Sequence, residues 1–189
     1  VRLTSGAPWA VALAALLVSG CAVPRVHGPA AAAVQPSAVA AQPSAAFNPT
    51  DVAWIQLEIP MTESVLALTD LAPERTANPS VLALASQVAA EQQQQLAGLR
   101  GLLREAGLPP TNVHEGHDMP GMVTKSDLLI AQRLNAEPFD TLFRKHLKDF
   151  LTQSLLVAKG EQTSGANEAT KQYAKALSAA RSTTLADLR

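Results

Sequence analysis

Cysteine is almost missing from this chain. Cys21 is the only one among 189 residues, so no disulfide can form within it. Aromatic side chains are nearly as scarce, at 4%. Alanine and leucine dominate instead, and small apolar residues suit close-packed helices more than sheets. Neither sign of charge is in excess: the formal net charge is −1. Without a basic field to gather phosphates, nucleic acid is excluded as a partner class. Histidine and methionine number only four and three. Yet His114, His117, Met119 and Met122 fall together in the nine residues "HEGHDMPGM".

The amino end explains the lone cysteine. "VRLTSGAPW" carries Arg2 and no acid, "AVALAALLV" is an apolar stretch too short to span a bilayer, and "VSGC" follows. A positive start, a short apolar core and small residues at a boundary describe an export signal over residues 1–20. Val18-Ser19-Gly20-Cys21 resembles the bacterial lipobox, which implies a diacylglycerol on the Cys21 thiol and attachment to a membrane through lipid. Residues 21–46 are rich in alanine, proline, serine and glutamine and hold few large apolar groups. Such a segment buries too little surface to offset its ordering entropy, so it reads as a disordered tether.

Residues 47–189 suffice for one domain with its own core. Thr50-Asp51 opens a helix with apolar positions at Trp54, Leu57, Val65 and Leu68, and Pro60 is expected to kink it. Asn78-Pro79 starts a second helix that ends at Gly107. A short helix is expected near Ser126–Asn135, a third long one over Pro138–Lys159 stopped by Gly160, and a last one from Asn167 onward. Adding 89 to the numbering overlays the two halves, about 47–107 and 136–189. Asp51 falls on Asp140, Trp54 on Phe143, Asn78 on Asn167, Val88 on Leu177 and Leu99 on Leu188. Cap, helix start and core stripe recur together, which is the mark of a duplicated helical hairpin. Two hairpins with apolar faces bury them against each other, so the expected fold is an all-α four-helix bundle with a short extra helix in the central connection.

Together "FNPTDVAWIQLEIP", "NPSVLALASQVAAEQQQQLAGLRGLL", "MPGM" and "FDTLFRKHLKDFL" resemble the secreted bacterial domain-of-unknown-function 305 family over nearly everything from Phe47 onward. The resemblance implies a ferritin-like bundle of two hairpins, with copper bound by some members. It also implies a histidine pair after "IP" in the first helix and again in the third. Here those positions are Met61 and Thr62, then Phe150 and Leu151. The family's downstream glutamine and glutamate fall on Gln92 and Gln95, and their repeats on Arg181 and Thr184. An interior metal site of the family type is therefore not expected. Gln92, Gln95, Arg181 and Thr184 are expected in a polar network with Glu58 or Asp149, because an unpaired buried arginine is costly.

The loop is the exception. Two imidazoles and two thioethers on a glycine- and proline-rich segment form a donor set suited to Cu(I), and His114, His117, Met119 and Met122 are the candidate ligands. Met61 and His146, on apolar stripes of their helices, form a weaker candidate pair whose simpler role is packing and hydrogen bonding. "HEGH" is one residue short of the zinc-protease spacing. Neither a nucleophile–base pair nor the Glu-x-x-His elements of di-iron bundles are present, so catalysis is not expected. Two readings follow: a lipid-anchored envelope protein that binds or buffers copper through the loop, or a metal-free structural or partner-binding lipoprotein of the same fold.

Overall fold

In the computed structural model, residues 44–188 are described; Cys21, the expected export signal and most of the expected tether lie outside them. Among the described residues six helices follow in order: α1 (Pro49–Thr69), α2 (Ala72–Arg75), α3 (Pro79–Glu105), α4 (Lys125–Ala131), α5 (Glu137–Ser164) and α6 (Glu168–Asp187). No strand occurs among the described residues.

Local chemistry sets the helix ends. Asn48 caps α1 by accepting from the amides of Thr50 and Asp51, and Asp51 returns the bond to the Asn48 amide. Asn78 and Asn167 cap α3 and α6 at positions 89 apart. The chain leaves α3 through Gly107, whose φ of 71° a side chain would resist. Thr124 and Asp127 form the capping box of α4, which ends at Ala131, four residues before the expected Asn135. The helix α1 continues through Pro60 from Pro49 to Thr69, and Pro60 is buried within it.

Two apolar clusters fix how the four long helices run. The first joins Met61, Val65 and Leu68 of α1 with Val81 and Val88 of α3 and Phe139, Phe143, Leu147 and Phe150 of α5. The second joins Trp54 and Ile55 of α1 with Leu99 and Leu103 of α3, Ala158 of α5 and Ala174 and Leu177 of α6. The start of α1 thus lies with the ends of α3 and α5 and the start of α6. The order is up, down, down, up. Since α3 ends in the second cluster and α5 begins in the first, residues 106–136 must cross the length of the bundle. That crossover carries the His/Met loop and α4.

The halves clasp each other reciprocally. Asp51 of the first accepts from the amides of Ala166 and Asn167 in the second, at 3.0–3.2 Å. Its counterpart Asp140 accepts from the Asn78 side-chain amide of the first, at 2.8 Å. Each half holds the capping asparagine of the other.

The expected stop at Gly160 fails: α5 continues to Ser164 and ends at Gly165. Interior glycine weakens a helix by about 1 kcal/mol, but the extra turn buries Glu161 completely and offers the Ser164 carbonyl to Asn48 Nδ2 at 2.8 Å. Tertiary contacts outweigh the local preference.

Candidate metal-binding cleft

"HEGHDMPGM" folds as two successive turns. In the first, the His117 amide donates to the His114 carbonyl at 3.0 Å, with Gly116 at φ 80°. In the second, the Met122 amide donates to the Met119 carbonyl at 3.0 Å, with Gly121 at φ 77° after Pro120. Proline second and glycine third, with positive φ, is the type II pattern. The two residues closing each turn are drawn together: the histidines in one, the methionines in the other. The His114 and His117 ring centres lie 6.1 Å apart, edge to face.

The bundle holds this loop from below. Ser64 of α1 accepts from the Val123 amide at 3.1 Å, and Val123 is buried in the first cluster. Gly121 presses so close to α5 that a Cβ there would lie 2.5 Å from Gln153 Cβ and 3.0 Å from the Asp149 carbonyl. Between loop and α1 lies an open cleft of about 460 Å3, walled by His114, His117, Met122, Glu115 and Asp118 above Pro60 and Ser64. Met119 is half-buried outside that wall, and Met122 packs partly against the core. At the rim Lys125 binds Glu115; the pair holds the Glu115 carboxyl below its ordinary value and the lysine above its own. Among the described residues, no three or more His, Cys, Asp and Glu side chains converge as a metal cage. A site here depends on the thioethers.

The weaker pair is placed differently. Met61 is fully buried in the first apolar cluster. His146 is half-buried with Nε2 3.9 Å from Asp127 of α4. Burial pushes its imidazole below the ordinary value, against the pull of Asp127.

Between the clusters lies a polar layer centred on Arg181, which has no exposed surface. Its Nε donates to Gln95 at 2.9 Å, Nη1 to Glu58 at 2.6 Å and to Ser154, and Nη2 to Thr62 and Gln92 at 3.0 Å each. Ser154 in turn donates to the second Glu58 oxygen at 2.7 Å, and the guanidinium carbon lies 4.6 Å from the centre of the Phe150 ring. Glu58 is thus the counter-ion, whereas Asp149 binds the exposed Lys145. Thr184 reaches Glu91 rather than the arginine. These residues do not fit a metal ion: a fixed cation sits among them and their acceptors are committed to it. Ser154 was the member least visible in the sequence. Its only signal is one hydroxyl on the inward stripe Leu147-Leu151-Ser154-Ala158.

The family model for a domain of unknown function, DUF305, matches residues 51–189. The chain belongs to the DUF305 family. A DUF305 crystal structure from Streptomyces coelicolor, whose name calls that protein secreted, is 17% identical over 74% of this chain and 89% of its own, with a TM-score of 0.66. A DUF305 fragment from Deinococcus radiodurans is 16% identical over 75% and 94%, with a TM-score of 0.67. At such identities the likeness shows the DUF305 helical fold and no more. No curated protein matches the chain.

Proposed function

We propose that this DUF305 chain is an exported, lipid-anchored envelope protein that binds Cu(I) in the crossover cleft. Export and anchoring rest on the lipobox-like Val18-Ser19-Gly20-Cys21, and export alone agrees with the secreted relative from Streptomyces coelicolor. Metal binding rests on one observation above all, the 6.1 Å between the ring centres of His114 and His117. Two imidazoles on a single ion, each with a nitrogen about 2 Å from it, put their ring centres about 5 Å apart in a three- or four-coordinate site and about 6 Å apart in a linear one, so only a small closure of the turn separates the pair from a shared ion. Met122 adds a thioether from the same wall, and Met119 can follow from the adjoining turn. Soft sulfur beside imidazole favours Cu(I) and gives no hold on magnesium or calcium. The two turns keep the imidazoles and thioethers in adjoining pairs, while the opening to solvent lets an ion enter and leave, as buffering requires. No catalytic step is assigned.

Titration of the reduced protein with Cu(I) against a chromogenic chelator tests this. One equivalent should bind, and the quadruple variant with His114 and His117 as alanine and Met119 and Met122 as leucine should bind none. Equal binding by both proteins, or none by the parent, contradicts the assignment. The filled interior favours a second reading, a metal-free structural or partner-binding lipoprotein, and the same titration separates the two.

A further inference from the structure

Asp51 and Glu161 meet where α1, the end of α5 and the start of α6 come together. Both are buried, with Glu161 showing no exposed surface. The partners of Asp51 are the amides of Asn48, Ala166 and Asn167, all donors to a charged carboxylate. Among the described residues Glu161 has none: neither of its oxygens meets a donor. A buried carboxylate without donors is strongly disfavoured, whereas a neutral carboxyl can itself donate. The carboxylate of Asp51, bonded to the amide of Ala166 next to the Gly165 that Glu161 Oε1 borders, is the acceptor at hand. Gly165 leaves the room for this arrangement, since a Cβ there would collide with Glu161 Oε1.

We propose that Asp51 and Glu161 share one proton and form a pH-sensitive clasp on the turn joining α5 to α6, closed in mild acid and released in mild alkali. The surrounding charges support it. Asp51 of α1 faces Glu161, and Lys171 of α6, which also lies 3.9 Å from Glu168, exerts a weaker opposite pull. Burial first, and then Asp51, raise the Glu161 carboxyl to about 8, while the three amides hold Asp51 below its ordinary value against the cost of burial. The signs are opposite for the two groups. A raised carboxyl stabilises the fold fully below its unfolded value of 4.5 and loses that contribution as pH climbs through about 8. Asp51 contributes above its unfolded value of 3.8 and loses that contribution as pH falls through its lower folded value. Above pH 8 a second buried charge faces the first, and the Ala166 and Asn167 amides lose their anchor.

The test uses the full chain. The melting temperature of the parent should decline from pH 5 to 9. Glu161→Gln, which keeps a donor to Asp51 but cannot ionise, should show a much flatter profile and the higher melting temperature at pH 9. Carboxyl-carbon NMR of the parent gives a second readout that needs no variant. A Glu161 midpoint near 8, with protection of the Ala166 and Asn167 amides lost over the same range, supports the clasp. A midpoint near 4.5, or a Gln variant as sensitive to alkali as the parent, overturns it.

Discussion

The polar layer inside the bundle and the loop outside it are both collections of hydrogen-bonding and ligating side chains, but their commitments differ. Inside, Arg181 engages Glu58, Thr62, Gln92, Gln95 and Ser154, so every hydrogen-bonding arm of the guanidinium has an acceptor. Outside, His114, His117 and Met122 line an open cleft, and among the described residues none of their side chains joins a hydrogen bond, the loop being held through backbone bonds and two glycines. The lesson is that polar density alone does not mark a binding site. A layer whose charged centre is saturated fastens helices, even though Gln92 Nε2 meets no acceptor there, and an unsaturated one is available to a ligand.

The largest effect should come from breaking the saturated side. Arg181→Ala leaves the Glu58 carboxylate buried without its cation, and a loss of about 3–5 kcal/mol in urea unfolding is expected. Replacing both partners, Arg181→Met with Glu58→Leu, should recover only part of that loss: the lone buried charge is gone, but Thr62, Gln92, Gln95 and Ser154 lose their shared partner. If the double variant is as unstable as the single, the layer does more than satisfy its own charges.

A smaller effect should divide the two glycines of the loop. Gly121→Ala demands a positive φ and drives a Cβ into α5, whereas Gly116→Ala meets the same backbone penalty in open space. Losses of about 2–3 kcal/mol and about 1 kcal/mol respectively should appear in thermal unfolding. Equal losses would mean that α5 does not grip the second turn. The least change should follow Lys125→Ala. Its ion pair with Glu115 is exposed, so the melting temperature should stay within error of the parent, as most surface pairs contribute little.

Much of this contrast was legible before any geometry. Asn78-Pro79 and Asn167 announced the helix starts, and the 89-residue offset announced two hairpins. Proline followed by glycine in "MPGM" foretold the turn that sets Met119 against Met122. Gln92, Gln95 and Arg181 were recognisable as inward-facing and in need of partners. What sequence could not decide was which acid answered Arg181, because Glu58 and Asp149 both lie near the inner stripe and only the packing of α1 against α5 selects between them. Gly160 misled for a related reason: helix propensity is local, and the burial of Glu161 that carries α5 past it is not. The Asp51–Glu161 pair had no sequence signal at all, since the two residues lie 110 positions apart and only the closed bundle brings them together.

Amide and guanidinium NMR during Cu(I) titration probes both regions at once. Shifts and broadening confined to residues 112–124, with Arg181 Nε and the Gln92 side-chain amide unmoved, are the predicted result. Perturbation centred on Thr62, Gln92 or Arg181, or no perturbation anywhere, would contradict the division between a saturated interior and an available loop.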